Sequence, residues 1–248
     1  MPTLEIVTLL MLPGFLLLDL AYRAHSDQRS RGWRSRAFVV TAVNFWLTLE
    51  LGKLWGWVFG GASLLNGAAL GTIGGAVVGV LLYELVHYWY HRSAHRYTWL
   101  WRFGHQMHHS AESLDAWGAY YLHPVDAALF MTWSTIVLFP ILGLSPAAGA
   151  VASALLTFFA VFQHANIKTP YWLGFLVQRP ESHAMHHERG VHAYNYADLP
   201  IWDIVFGTFR NPGARASRPQ QGFYAGASSR LIDMLLFRDI SASRRRVE

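Results

Sequence analysis

Five apolar runs, each close to the length of a bilayer crossing, leave this chain few folds to adopt. They cover about Leu4 to Tyr22, Ala37 to Phe59, Ala68 to Tyr90, Ala127 to Leu144 and Ala147 to Phe162. A crossing needs roughly 20 apolar residues in helical form, because the hydrocarbon layer offers no partner for a free backbone N–H or C=O. The expected fold class is therefore all-α, a multi-pass helical membrane protein whose last two runs form a hairpin turned at Gly143 to Pro146. Composition agrees: 14% of the residues are charged and 53% hydrophobic, against about 25% charged in an ordinary soluble domain. The first run lacks the basic start and small-residue cleavage site of a signal peptide. No linker or long charge run divides the sequence, so a single structural unit is expected.

Orientation follows from the basic residues. Arg23, Arg29, Arg31, Arg34 and Arg36 crowd the loop between the first two runs, and Arg244, Arg245 and Arg246 end the chain. The positive-inside rule places that loop in the cytoplasm. Counting spans from there puts everything beyond the third run, apart from the tip of the hairpin, on the cytoplasmic face. Such clusters suit an anionic leaflet, and no nucleic acid partner is expected. In the third run, Gly67, Gly71, Gly75 and Gly79 form a small-residue stripe suited to close helix packing. Glu50 and Lys53 stand at i, i+3 spacing in the second run and read as a self-neutralising pair.

Thirteen histidines are the second constraint, and all but His25 fall at or beyond the cytoplasmic end of the third run. His87, His91 and His95 recur at i, i+4 and i+8, so they share one helical face. His105-Gln106-Met107-His108-His109 and His183-Ala184-Met185-His186-His187 are two copies of one HxxHH pattern. In each, i, i+3 and i+4 lie together, so three imidazoles can converge on a pair of ions. The eight candidate ligands are His91, His95, His105, His108, His109, His183, His186 and His187. His123 and His164 reach the same face at span boundaries and join them as further candidates. His87 and His192 read as structural or as hydrogen-bonded neighbours of ligands, and His25 as a solvated loop residue. The expected architecture is a helical bundle carrying a cytoplasmic, histidine-rich di-metal cap.

Several chemistries are excluded. With no cysteine there is no thiolate zinc, iron–sulfur cluster or cysteine nucleophile. A zinc-protease HExxH motif fails because Val191 stands where its second histidine belongs after His187-Glu188. A ferritin-like site needs two ExxH pairs, and only Glu84 with His87 fits. A metal transporter would place polar ligands near the midplane, where these spans carry no histidine. Ligand type leaves iron and zinc both open, since all-histidine zinc sites also activate water.

Beyond this reading, the sequence resembles the fatty acid hydroxylase and sterol desaturase superfamily, membrane di-iron oxygenases with an eight-histidine signature. The likeness runs from about Glu84 to Pro212. It rests on Glu84 with Tyr88-Trp89-Tyr90-His91-Arg92-Ser93-Ala94-His95, on Leu100-Trp101-Arg102-Phe103 leading into the first HxxHH, and on His123-Pro124 and His164-Ala165-Asn166. The second HxxHH, Asn195-Tyr196 and Trp202-Asp203 through Phe209 complete it. Departures are Glu84 for a usual Asp, the additional Gly104 before His105, Tyr121 for a common Arg and Ala197 for a common Gly. The resemblance implies residues 1–83 as N-terminal transmembrane helices, 84–212 as a fatty acid hydroxylase-like di-metal domain and 213–248 as a basic cytoplasmic tail. It implies two ferrous ions that activate dioxygen against an unactivated C–H bond of a membrane lipid, by hydroxylation or desaturation. With no flavin or haem motif in the chain, electrons are expected from a ferredoxin or cytochrome b5-like donor. A zinc-dependent membrane lipid hydrolase with the same ligands is the alternative. Glu84 and Asp203 are expected to accept the second N–H of ligand imidazoles. Trp89, Trp99, Trp101, Trp117 and Trp172 are expected to line the lipid's entry or anchor the interface.

Overall fold

The computed structural model describes residues 2–213 and 218–241. The chain opens with three long helices, α1 (Pro2–Ala21), α2 (Trp33–Phe59) and α3 (Gly71–Arg96), the last entered through a 3-10 turn at Gly67–Leu70. Short helices follow: α4 (Thr98–Leu100), a π-turn at Trp101–His105, and α5 (Gln106–His109). Then come α6 (Pro124–Ile136), running into a second π-turn at Val137–Ile141, and α7 (Pro146–Phe162). Three further short helices, α8 (Pro180–His186), α9 (Pro200–Val205) and α10 (Leu231–Leu235), complete the order. No strand occurs among the described residues, only an isolated bridge between Glu188 and Gln221. The all-α, multi-pass architecture expected from the apolar runs is the one observed.

Three helical stretches, Trp33–Phe59, Gly67–Arg96 and Pro124–Ile141, are long and apolar enough to cross a membrane; Ile6–Ala21 and Pro146–Phe162 are shorter apolar helices. Leu10, Leu17, Phe38, Trp46 and Ile73 each expose more than half of their surface along α1 to α3. An apolar surface that broad is stable against lipid and a liability in water. The exposed Lys53 ammonium meets Glu50 at 2.8 Å, as the i, i+3 spacing predicts.

The glycine stripe divides by function. A Cβ on Gly79 would stand 2.8 Å from both Leu138 and Leu144, and one on Gly75 would stand 3.0 Å from the Ala148 Cβ, so α3 meets α7 and the second π-turn at contact distance. Gly71 packs against nothing; it turns the chain at φ +68 where the 3-10 turn meets α3. At the same end Pro140, which has no N–H, sits in the second π-turn. The carbonyls of Pro140, Ile141, Leu142 and Gly143 there accept the N–H groups of Leu64, Leu65, Gly67 and Ala68 at 2.7–3.0 Å, so two loops close each other. The two legs of the expected hairpin do return across the bundle, but α6 packs on α2 while α7 packs on α3 and α1.

At the opposite end the arginine-rich loop docks on the cap. Asp115 receives the Trp33 indole N–H and pairs with Arg29, and Arg34 lies over the Trp117 ring. His25 is tied down as well: its N–H donates to Asn166 Oδ1, and the Asn166 amide donates back to its carbonyl. Residues 218–241 wrap the same end, where Ala227, Met234 and Ile240 are buried with Trp33, Met107 and Tyr121. Arg244, Arg245 and Arg246 lie outside the described residues.

Candidate metal centre

Nine of the ten candidate histidines come together in two groups. His91, His95, His105, His109 and His186 form one, and His108, His164, His183 and His187 the other, with the ligand atoms of each group within 4.8 Å of one another. Each HxxHH string is split between them. On α5 and the turn before it, His105 and His109 enter the five-membered group and His108 the four-membered one. On α8 the allotment is reversed: His183 and His187 join the four-membered group and His186 the other. The i, i+4 pair lies roughly 40° apart round the helix while i+3 sits roughly 60° from one and roughly 100° from the other, so one string reaches two neighbouring centres. The groups abut where the His109 and His187 rings stack at 4.1 Å.

The tautomers are set by what the second ring nitrogen touches. Backbone carbonyls and carboxylates only accept. The Nδ1 atoms of His91, His186 and His164 therefore donate to the carbonyls of Tyr196, Tyr194 and Ala160 at 2.6–2.7 Å. That of His105 donates to Asp126 Oδ2 at 2.9 Å. Each of these rings then presents a bare Nε2 lone pair inward. Those of His91 and His186, with the Nε2 of His95, are buried without a hydrogen-bond partner. The Nε2 of His164 stands 3.1 Å from those of His108 and His183, and the Nε2 of His183 stands 3.0 Å from that of His187. His164 has no Nε2 proton to give to its neighbours, and the spacing matches ligands about 2.1 Å from a shared cation. Imidazole suits zinc, copper, iron and nickel alike. The donor set therefore fits two transition-metal ions.

Electrostatics favours the same state. Burial, together with mutual repulsion within the cluster, holds His108, His109, His183, His186 and His187 well below the ordinary imidazole range. Burial brings His164 and His192 down to about 4. Neutral imidazoles are the metal-binding form.

His123 is not among the nine. Its Nδ1 accepts the Val125 N–H at 3.1 Å as the N-cap of α6, and its ring packs on Phe237. His192 touches the five-membered group from outside, its Nδ1 3.1 Å from that of His109. His87 belongs to a third group, with Glu84 and Asp198.

The expected role of Glu84 and Asp203 needs correction. Neither accepts a ligand imidazole N–H. Asp203 accepts the N–H groups of Tyr196 and Ala197, and Glu84 Oε2 accepts those of Asp198 and Leu199. They act one step further out, holding the loop whose carbonyls orient His91 and His186. That loop carries three non-glycine residues at positive φ, His192, Tyr194 and Asn195. Asn tolerates this conformation, and the Asn195 side chain pins it by donating to the carbonyls of Ser182 and Arg210 and accepting the Arg210 N–H. The carboxylate that does meet an imidazole is Asp126, which also receives the Tyr90 hydroxyl. In the sequence it looks like an ordinary acidic first-turn residue of α6. Gly104 makes room for it, since a Cβ there would stand 2.9 Å from the Asp126 Cβ. The additional residue is taken up by the π-turn at Trp101–His105, the form in which a helix absorbs one extra residue.

Beneath the two groups lies a cavity of about 660 Å³. Leu12 of α1, Phe45 of α2, Met131 of α6 and Leu156 of α7 line its apolar part, and His91, His105, His108, His164 and His183 its inner end. Of the five tryptophans expected at the entry or at the membrane interface, only Trp117 lines the cavity. Trp101 instead packs on His95 and His109, while Trp89, Trp99 and Trp172 face outward.

Comparison with known proteins gives these observations a family. Sphinganine C4-monooxygenase 1 of Arabidopsis thaliana is 27% identical over 161 residues, covering 63% of this chain and 62% of its own. An ornithine lipid hydroxylase of Rhizobium tropici is 31% identical over 140 residues, covering 55% and 42%. Alkylglycerol monooxygenase of Danio rerio is 32% identical over 140 residues, covering 51% and 28%. The chain thus spans less than two thirds of the length of each of these relatives. No solved structure matches it. The model of the fatty acid hydroxylase family matches residues 76–208, more than half of the chain and all nine clustered histidines, and the chain belongs to that family.

Proposed function

We propose that this protein is an oxygenase that hydroxylates or desaturates a membrane lipid. Two iron ions would be held, one by His91, His95, His105, His109 and His186 and one by His108, His164, His183 and His187. The observation that carries the reading is the convergence of unprotonated imidazole nitrogens at the inner end of an apolar cavity. A cavity of about 660 Å³ falls within the range of small-molecule sites, and its lining suits an alkyl chain better than a polar metabolite. The names of the relatives, lipid hydroxylases and monooxygenases, support the same class of chemistry.

When bound, the iron pair supplies dioxygen activation strong enough to cleave an unactivated C–H bond. Hydroxylation turns C–H into C–OH and consumes one dioxygen, two electrons and two protons, releasing one water; desaturation draws on the same oxidant and releases two. The residues of the chain bind, orient and exclude. Asp126 and the carbonyls of Tyr194, Tyr196 and Ala160 fix four imidazoles in the tautomer that offers Nε2. The cavity wall holds the chain beside the centre and keeps out bulk water. The electrons come from a ferredoxin or cytochrome b5-like donor at the cap. The cap faces the cytoplasm in this reading, as the arginine-rich loop at the same end supports.

Metal analysis of the purified protein, paired with oxygen uptake and lipid profiling of cells with and without the gene, tests the proposal. The expected result is two irons per chain and a lipid product heavier by one oxygen or lighter by two hydrogens. Full zinc occupancy with no oxygen consumption overturns it in favour of hydrolysis.

A further inference from the structure

Glu84, His87 and Asp198 form a buried polar group one helical turn before His91, and the metal centre leaves it unused. The His87 Nδ1 is 3.8 Å from Glu84 Oε1 and 3.9 Å from Asp198 Oδ1, too far for hydrogen bonds, and the three ligand atoms lie within 4.8 Å of one another. Glu84 is fully buried and His87 is 8% exposed, yet Glu84 Oε1 and His87 Nδ1 have no hydrogen-bond partner. The group is held rather than loose. Glu84 Oε2 is fixed by two backbone N–H groups, and Asp198 Oδ1 receives the Gln163 amide at 2.8 Å. No arginine or lysine pairs with either carboxylate among the described residues. His87, Asp198 and Gln163 line the cavity.

A buried polar group without a partner is costly, and of this group it is His87, whose Nδ1 is unpartnered, and Asp198 that stand at the cavity wall, with Glu84 Oε1 behind them. We propose that this group is the recognition point for a hydrogen-bond donor on the lipid, an amino or hydroxyl group, while the alkyl chain lies in the apolar part of the cavity. The inference rests on the lipid-oxygenase reading and narrows its substrate to amphiphiles with a donor at one end. It also sets the position of reaction. The His87 and His91 rings are stacked at 5.5 Å, so the donor is anchored about one helical turn, roughly 5 Å, from the first ligand of the five-membered group. The oxidised carbon then lies a few bonds from the donor, not at the far end of the chain.

Four probes of equal chain length test this on the metal-loaded protein in nanodiscs, with tryptophan fluorescence as the readout: a primary alkylamine, the alcohol, the alkane and the carboxylate. The amine and the alcohol are expected to bind at least about tenfold more tightly than the alkane, the worth of a charge-assisted hydrogen bond, and the carboxylate more weakly than the alkane. Asp198→Asn should lower the preference several-fold at unchanged metal content and alkane affinity, and Glu84→Gln should lower it as far, with its metal content measured alongside because Glu84 also holds the loop behind His91 and His186. A larger loss for the amine than for the alcohol assigns an ammonium group, and an equal loss assigns a hydroxyl. Equal binding of amine, alcohol and alkane to the unaltered protein, or a preference that survives both substitutions, overturns the inference and leaves the oxygenase reading standing. Failure of all four probes to bind overturns the lipid cavity and this inference together.

Discussion

The two histidine groups are neighbours built to different standards. The five-membered group has a spare imidazole and three rings oriented from behind, two by loop carbonyls and one by Asp126. The four-membered group has no spare, and His164 is the ring in it that a backbone carbonyl orients. Redundancy and orientation both raise affinity, so the first group should hold its ion more firmly. Three of the four rings in the second group line the cavity, against two of five in the first. The less redundant group is thus the one more open to the cavity.

Removing one imidazole from each group is the strongest way to break this comparison. His164→Ala leaves three rings in the four-membered group and should lose that ion, cutting the proposed lipid oxidation by about a thousandfold or more, on the order of 4 kcal/mol in the barrier. His95→Ala leaves four rings in the other group and should keep both ions by metal analysis. Equal metal loss in the two variants would show that the spare ring means nothing.

Acid comes next. Folded-state imidazoles held below their ordinary value near 6.5 take up protons less readily than the unfolded chain. These groups therefore add no pH dependence above about 6.5, and stability falls as pH drops from there toward 4. A thermal melt of the metal-free protein should lose roughly 5–10 °C over that window, and a flat profile would contradict the burial of neutral rings.

Asp126→Asn sharpens the role of orientation. It should weaken the ion of the five-membered group about 10- to 100-fold in a chelator competition and leave the other ion unchanged. Gly104→Ala acts on the same contact through space, pushing on Asp126 at a cost of roughly 1–3 kcal/mol in stability. The smallest effect belongs to His123→Ala. It removes a helix cap worth about 1 kcal/mol and should leave both ions in place; loss of either ion would return His123 to the ligand set.

What the sequence disclosed depended on whether the deciding group was a side chain at regular spacing. The apolar runs announced α1 to α3, α6 and α7 because lipid demands an unbroken length, and the HxxHH strings announced rings that cluster because helical spacing fixes a shared face. The allotment of rings between two centres was not legible, since it depends on how α5 and α8 meet in space. Nor were the carbonyls of Tyr194 and Tyr196, which carry no residue-type signal and are aimed by positive-φ backbone at Tyr194 and Asn195. Asp126 hid behind a simpler explanation, charge at a helix N-terminus. The tryptophans left two places open, because an indole suits a membrane interface and a cavity wall equally, and Trp117 took the second while Trp89, Trp99 and Trp172 face outward. The arginine loop served twice: the residues that carried the expectation of a cytoplasmic cap also brace that cap through Arg29 and Arg34, so their number has a packing role whichever face they occupy.

The crossed allotment of the HxxHH strings bears on how the molecule is assembled. Helices α5 and α8, of four and seven residues, are far shorter than the 12 to 15 at which an isolated helix becomes even marginal in water. Because each string ends in both centres, neither can be finished by one ion alone. The greasy scaffold can insert and close first, with the cap maturing only when the second cation arrives, so a cell short of the metal would accumulate a chain that is embedded but incomplete.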